Sequence, residues 1–133
     1  MHKSLGWSAF GALLISTFAW AATSSATPDF KLYVGNSRGD DVSIIDMVSL
    51  KVIGEIKAGD RVHGVCVQAD GKRLFVTVES DRTLRIIDTA TNQVTATIPT
   101  GSRPTSIAVL PNGRQAYVSN LDGGTLTVLE LTG

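Results

Sequence analysis

The residues best suited to chemistry are two arginines and one histidine. Arg61 and Arg103 lie 42 residues apart, each two positions after a glycine, and His63 follows Arg61 closely. Guanidinium groups bind carboxylates and phosphates through paired hydrogen bonds, and imidazole is both a proton carrier and a metal ligand. These types and spacings predict a small-anion site at Arg61, His63 and Arg103. Solvated loop charges, or pairing with the preceding repeat unit, are the simpler interpretation, since charged side chains are mostly exposed.

The known catalytic and metal-binding patterns are absent from this sequence. There is no Gly-x-Ser-x-Gly elbow, phosphate loop, metalloprotease helix or Ser-His-Asp set. Metal sites need several converging ligands, and His63 stands alone once the segment containing His2 is removed. The single Cys66 excludes an intramolecular disulfide and a cysteine-rich zinc site. We therefore predict a protein that is not an enzyme, with no catalytic residue, no metal and no cofactor.

Three acidic residues, Asp46, Asp88 and Glu130, also recur every 42 residues. Acidic residues in register are one signal of calcium binding, but a calcium ion needs six or more oxygen ligands. The residues after Asp88 suit a turn in which the aspartate accepts hydrogen bonds from the backbone. A turn role is therefore the preferred interpretation.

The length and charge balance of the chain limit the classes of partner that it can bind. The chain has 133 residues, 43% of them apolar, with 12 basic and 12 acidic residues. This is enough for one modest globular domain, and a balanced charge provides no field that attracts nucleic acid or an anionic membrane. We expect neither of these partners.

The first 26 residues have the character of a secretory signal. A lysine near the start precedes an apolar stretch, and small residues follow at positions 19, 21 and 26. We expect cleavage after residue 21 or residue 26, which places the mature domain, residues 27–133, in the periplasm or outside a bacterial or archaeal cell. An uncleaved membrane anchor is the alternative.

The remainder of the chain is an internal repeat. Its period is 42 residues, seen in three equivalent segments: Tyr33-Val34-Gly35-Asn36, Phe75-Val76-Thr77-Val78 and Tyr117-Val118-Ser119-Asn120. The repeat units span about residues 30–58, 59–100 and 101–133. A repeat of this length indicates stacked supersecondary units.

The complete middle unit has the pattern of a four-stranded antiparallel meander. Runs rich in β-branched and aromatic residues occupy residues 62–68, 73–79, 83–88 and 93–98, separated by turn residues. Asp70-Gly71 and Asn112-Gly113 are expected to form hairpin turns in which both central residues have positive φ. Consecutive apolar residues, as at Ile86-Ile87, require strands covered on both faces. Four-stranded blades stacked around a channel meet this requirement, so the sequence predicts an all-β fold of β-propeller blades. An open sandwich is the weaker alternative.

Particular motifs resemble the YVTN β-propeller repeat. They are Tyr117-Val118-Ser119-Asn120, Ile87-Asp88-Thr89, Gly101-Ser102-Arg103-Pro104 and Asn112-Gly113-Arg114. The resemblance covers nearly all of residues 30–133 and implies an exported surface or periplasmic protein. Relatives of the fold include the haem d1 propeller of cytochrome cd1 nitrite reductases and lactonase-like propellers. The middle repeat departs from the pattern at Val78-Glu79, where the terminal asparagine is missing, and at Val62, where Pro104 predicts a proline.

The number of strands predicts an incomplete ring. The first unit lacks its first strand and the third lacks its last, whereas a closed propeller needs at least four blades. Two blade faces would remain exposed, so either several copies complete the ring as a homo-oligomer or the sequence is part of a longer protein. The strand count favours the second, because joining residues 106–131 of one copy to residues 31–57 of the next would give six strands where a blade needs four.

From these observations we expect an exported, non-catalytic binding or scaffold module whose partner is an unknown protein or small-molecule ligand. One alternative is an enzyme or redox accessory that holds a cofactor or small anion at the channel of a completed ring. The other is a fragment without independent function.

Overall fold

The computed structural model describes residues 30–131, which form ten β-strands and no helix. None of these residues belongs to a helix long and apolar enough to cross a membrane. The predicted export segment lies outside the described residues. The strands are β1 (Lys31–Gly35), β2 (Asp41–Asp46), β3 (Lys51–Lys57), β4 (Val62–Val67), β5 (Arg73–Val78), β6 (Thr83–Asp88), β7 (Gln93–Pro99), β8 (Pro104–Val109), β9 (Gln115–Asn120) and β10 (Thr125–Glu130).

The strands form three separate antiparallel meanders. Sheet order is β1-β2-β3, β4-β5-β6-β7 and β8-β9-β10, which we name blades 1, 2 and 3. The four strands of blade 2 match the four predicted runs to within one residue at each end. The all-β prediction, the four-stranded complete unit and the two three-stranded units are confirmed.

The blades stack face to face through their apolar side chains. One core cluster joins Val42 and Ile44 of blade 1 to Leu74 and Val76 of blade 2. A second joins blade 2 to blade 3. Strand β5 is therefore buried along its length after Arg73, on both of its faces. Consecutive apolar residues in these strands are explained by this two-sided burial.

The first strands of blades 2 and 3, β4 and β8, also pack against each other. Gly64 makes this possible, because a Cβ at that position would lie 3.0 Å from the Thr105 carbonyl oxygen and 2.9 Å from Thr77 Oγ1. Its own N–H donates to Thr77 Oγ1 at 2.7 Å. The close approach of β4 and β8 shows that blades 2 and 3 converge at the edge formed by these two strands.

The prediction for the two hairpin turns was wrong in one respect. Gly71 (φ 74°) and Gly113 (φ 68°) have positive φ, but Asp70 and Asn112 do not. The Gly71 N–H donates to the carbonyl of Gln68, so the glycine is the last residue of the turn and not one of its two central residues. Only that position needs the left-handed conformation, which glycine adopts without strain.

Candidate functional site

The candidate site lies at the end of the stack where β4 and β8 begin. Arg61 directly precedes the first residue of β4, and Arg103 directly precedes the first residue of β8. Their φ values are 61° and 56°. Their carbonyl oxygens accept equivalent hydrogen bonds, from the N–H groups of Glu79 and Leu121 respectively. The two arginines therefore occupy the same structural position in successive blades, as the 42-residue spacing predicted.

Glu79 brings the three predicted residues together. Its Oε2 accepts a hydrogen bond from His63 Nε2 at 2.6 Å, and its Oε1 lies 3.2 Å from Arg61 Nη2. Arg103 Nε lies 3.7 Å from Oε2. The Glu79 side chain is only 12% exposed, so its charge is offset by neighbouring protein groups more than by water. We call Arg61, His63, Glu79 and Arg103 the Glu79 cluster.

Arg103 links blades 2 and 3. It comes from the loop before β8, yet it reaches Glu79 in the loop after β5. Its Nη1 also donates to Asp122 Oδ1 of its own blade at 3.3 Å. Arg103 thus pairs with the preceding blade. This contact was part of the simpler interpretation of the sequence, set against that of an anion site.

A small polar cleft adjoins the cluster. Its volume is about 230 Å³, and both charge signs and two hydroxyl groups line it: Glu79, Ser80, Arg82, Ser102, Arg103 and Asp122. We call it the Glu79 cleft. Arg61 and His63 support this cleft through Glu79 and do not line it.

A larger cleft, of about 450 Å³, lies at the opposite end of blades 1 and 2. Phe30, Tyr33 and Val67 contribute apolar walls, and Gly71 lies at its edge. None of Arg61, His63 and Arg103 reaches it. The cleft with the greater volume is therefore not the one beside the cluster of charged groups.

The departure at Val78-Glu79 comprises two separate changes. Val78 occupies the position of Asn36 and Asn120, and Glu79 follows it in the loop. The Asn120 Nδ2 donates to the hydroxyl oxygens of Thr125 and Thr127 at 3.2 and 2.8 Å. Blade 2 cannot make this contact, because valine has no amide.

Blade 2 replaces that contact with an ion pair. Arg85 takes the place of Thr127 and donates through Nη2 to Asp81 Oδ2 at 2.5 Å. Burial acts to raise the pKa of Asp81, but hydrogen bonds from Thr83 and Arg85 outweigh it and hold the pKa below its ordinary value. At this end of blade 2, the changes at Val78 and Arg85 thus occur together: the amide contact is lost, and an ion pair with Asp81 stands in its place.

Sequence reasoning found the three basic members of the cluster but not their common partner. Glu79 was identified only as a departure from the repeat, and Asp122 was not identified. The repeat itself contained the signal, because the position of Glu79 is occupied by Ser37 and Leu121 in the other blades. A charge introduced in one repeat, beside recurring arginines, indicates a contact specific to that blade.

Two of the three recurring acids, Asp46 and Asp88, have the turn role preferred from sequence. Glu130 Oε1 instead accepts a hydrogen bond from Gln115 Nε2 on the neighbouring strand β9. Asp88 Oδ1 accepts hydrogen bonds from the N–H groups of Ala90 and Thr91. Asp46 Oδ1 accepts from the N–H of Ser49 at 2.6 Å. No group of three or more potential metal ligands occurs within residues 30–131.

Several solved structures share this arrangement of strands. Hydrazine synthase of Kuenenia stuttgartiensis is 28% identical over 68% of the chain, with a TM-score of 0.66. The dihydro-heme d1 dehydrogenase NirN, in complex with DHE, is 24% identical over 79%, with a TM-score of 0.66. The β-propeller domain of Myceliophteria thermophila Cps50 (Swd1) is 13% identical over 77%, with a TM-score of 0.67. The chain has the fold of an incomplete β-propeller. The three described blades do not close into a ring.

The match to these propellers is partial. The chain spans 26%, 23% and 33% of the lengths of the three structures, in the same order. No family model matches the chain, and no curated protein sequence does. Membership of the YVTN repeat family therefore stays a prediction.

Proposed function

We propose that this propeller segment is a non-catalytic binding module that holds a small ligand with a carboxylate or phosphate group at the Glu79 cleft. The observation that carries the proposal is the convergence of Arg61, His63 and Arg103 on Glu79, beside a polar cleft of about 230 Å³. Glu79 holds the basic side chains in place, and Arg103 presents its remaining donors to the ligand.

Arg103 has both access to solvent and unused hydrogen-bonding capacity. Its side chain is 41% exposed. A guanidinium has five N–H donors, and the one hydrogen bond found for this group is that from Nη1 to Asp122. Arg103 Nε is buried without a hydrogen-bond partner, with Glu79 Oε2 at 3.7 Å. A ligand oxygen that accepts from this side chain would use donors that the protein leaves available.

The charge balance of the Glu79 cleft favours a monoanion over a polyanion. Arg82 and Arg103 line it together with Glu79 and Asp122, and Arg61 lies directly behind Glu79. These three arginines and two carboxylates leave one net positive charge. Ser80 and Ser102 supply hydroxyl groups that suit a ligand with several polar atoms.

A titration of the purified protein with acetate and with inorganic phosphate tests the proposal. We expect binding that weakens as the salt concentration rises, and that Arg103→Ala reduces at least about tenfold, since a charge-assisted hydrogen bond contributes about 1.5–3 kcal/mol. Arg114→Ala is the matched control, because Arg114 is an exposed arginine at the opposite end of blade 3. Equal binding by the parent protein and Arg103→Ala would remove the basis for an anion site.

A second candidate is a redox accessory in which a completed ring holds a cofactor over its channel. Its support is the pairing of His63 with Glu79, since a carboxylate that fixes an imidazole ring is the usual arrangement behind a ligating histidine. Two of the similar structures are hydrazine synthase and a dihydro-heme d1 dehydrogenase. The visible absorption spectrum of protein purified from a cofactor-competent host distinguishes the two candidates. A band that persists through gel filtration favours the cofactor, and its absence favours the binding module.

We also propose that the protein acts in the periplasm or outside the cell. The support is the signal-like composition of residues 1–26. Cell fractionation followed by intact-mass measurement tests this. A periplasmic or secreted species that has lost 21 or 26 residues is expected, and a full-length cytoplasmic species would contradict it.

A further inference from the structure

Three arginines at the end of the blades that carries the Glu79 cleft have a backbone conformation that glycine adopts more easily. Arg61, Arg82 and Arg103 have φ values of 61°, 55° and 56°. They are three of the five non-glycine residues with positive φ within residues 30–131. This conformation brings the Cβ of an L-residue close to a carbonyl oxygen, so it costs free energy relative to glycine. Residues kept in it despite that cost are typical of ligand-binding positions.

Arg82 is the member of this group whose side chain the protein leaves without a partner. Its N–H donates to the Glu79 carbonyl at 3.3 Å, and its carbonyl accepts from the Thr100 N–H at 2.9 Å, so its backbone is fixed. Its guanidinium lines the Glu79 cleft and makes no hydrogen bond or ion pair with the rest of residues 30–131. Gly124 has the equivalent position in blade 3, with a φ of 56°. A turn of this shape therefore does not need an arginine.

Two carboxylates lie beside these cations, and one of them has an oxygen without a contact. Asp122 Oδ1 accepts from Arg103 Nη1 at 3.3 Å, whereas Asp122 Oδ2 has no polar partner within residues 30–131. The Asp122 side chain is 56% exposed. Glu79 Oε2 lies 3.7 Å from Arg103 Nε. The cleft therefore presents a cation and an anion side by side, and both have hydrogen-bonding capacity left.

This arrangement of charges distinguishes between classes of ligand. A simple carboxylate bound to Arg103 is attracted by the guanidinium but repelled by Asp122 and Glu79. A ligand with an ammonium group on the carbon next to its carboxylate converts that repulsion into attraction. A free α-amino acid has these two groups on one carbon, whereas each end of a peptide chain has only one of them.

We propose that the Glu79 cleft binds a free α-amino acid as a zwitterion. This rests on the proposed function, because the arginines that hold the carboxylate are those of the anion site. Arg82 and Arg103 donate to the carboxylate, and Asp122 Oδ2 accepts a hydrogen bond from the ammonium group. The cleft volume of about 230 Å³ is below the roughly 300–1,000 Å³ of pockets for drug-sized molecules. The amino acid therefore has a small side chain.

Titration calorimetry of the purified protein with free glycine, glycolate and acetate, at neutral pH and low salt, tests the proposal. Glycolate carries a hydroxyl group where free glycine carries its ammonium group, so the two ligands differ in charge at one position. We expect free glycine to bind at least about tenfold more tightly than glycolate or acetate, because charge-assisted hydrogen bonds are the stronger kind. Glycolate bound as tightly as free glycine would overturn the amino-acid inference and leave the anion site intact. Absence of binding by all three ligands would overturn both.

Asp122→Asn should affect two of these ligands differently, because it keeps the shape of the side chain and removes its charge. We expect this variant to bind free glycine about tenfold less tightly and acetate no less tightly than the parent protein. Loss of both affinities together would mean that Asp122 only holds Arg103 in place, which would overturn its contact with the ammonium group. Full affinity for free glycine would overturn it as well. Asp70→Asn, at an exposed aspartate of the opposite end, is the control and should change neither affinity.

Arg82→Gly tests the second cation without straining the turn. Because glycine adopts this φ without strain, the variant should retain its circular dichroism spectrum and its urea midpoint. It should bind both free glycine and acetate about tenfold less tightly. Arg82→Lys keeps the charge and should restore most of the affinity for both ligands. If Arg82→Gly bound free glycine as tightly as the parent protein does, the placement of the carboxylate between two arginines would be wrong.

Discussion

Replacing Glu79 by glutamine tests the role of the Glu79 cluster, because it keeps the shape of the side chain while removing its charge. In the structure the carboxylate lies 3.7 Å from Arg103 Nε. A ligand anion on the far side of the same guanidinium would lie roughly 7 Å from Glu79. Two like charges at about 7 Å repel by about 0.6 kcal/mol in bulk water and by about 1.2 kcal/mol at an effective dielectric constant of about 40.

Glu79→Gln should therefore bind acetate about 3- to 8-fold more tightly than the parent protein. The gain should shrink as salt is added, because part of the charge interaction passes through solvent. Titration calorimetry at two salt concentrations measures both effects, with Asp70→Asn at the opposite end as the charge-matched control.

The same variant should lower the free energy of unfolding by about 1–2 kcal/mol. Glu79 accepts a hydrogen bond from His63 and pairs with Arg61, and hydrogen bonds to charged groups contribute about 1.5–3 kcal/mol. The exposure of Arg61, at 53%, reduces that value. If Glu79→Gln instead weakened acetate binding as strongly as Arg103→Ala, Glu79 would contact the ligand itself, and the assignment of an anion to the cleft would be wrong.

Three further predictions concern the blades. Asn120→Ala should lower the free energy of unfolding by about 2 kcal/mol in urea denaturation, because two hydrogen bonds to threonine hydroxyls are lost at a position only 2% exposed. Gly64→Ala should lower it by about 1–3 kcal/mol, because the added Cβ would press against the backbone of β8. Backbone and side-chain hydrogen bonds from Thr91 hold the pKa of Asp88 below its ordinary value of 3.8. The stability contributed by this carboxylate is therefore complete above about pH 3.8 and lost as the pH falls through its lower folded-state pKa, and Asp88→Asn should flatten the decline of the urea midpoint with acidification.

Controls for these predictions come from equivalent or neighbouring positions. Gly54→Ala should cost less than Gly64→Ala, since its Cβ would make only an ordinary contact with Ile44 at 3.6 Å. An equal loss in both variants would show that the approach of β4 to β8 is not the cause. An Asn120→Ala variant as stable as the parent would mean that water replaces the lost amide. If the urea midpoint of Asp88→Asn fell with acidification as steeply as that of the parent protein, another titratable group would cause the acid sensitivity.

The repeat made much of the fold predictable. Because residues 42 positions apart experience the same neighbours, patterns that are ambiguous in one segment, such as Ile86-Ile87, become clear when three copies agree. Gly71 was assigned to the correct turn, but the predicted turn type was wrong. The Asp70-Gly71 dipeptide indicates that a turn occurs, but it does not determine how the flanking strands pair.

The candidate site was less predictable, since its central contact crosses between blades. Arg103 meets Glu79 only because blade 3 stacks on blade 2 in one orientation, and no spacing in the sequence measures the distance between stacked sheets. Arg61 and His63 are close in sequence, but their common partner is reached only after β5 pairs with β4. The basic residues could be identified from their residue types and their positions in the repeat. Their shared contact with the Glu79 carboxylate could be identified only from the packed structure.

Blade 1 packs on blade 2 in the same way as blade 2 packs on blade 3, and this uniformity also bears on how such a gene can change. Unequal recombination that inserts or deletes one whole repeat would leave every remaining contact of the same kind, because each blade presents the same pair of surfaces to its neighbours. An insertion of part of a repeat would instead place two unlike edges together. Length variation among descendants of this gene should therefore occur in whole repeats, with the Val78-Glu79 blade identifiable by its altered loop.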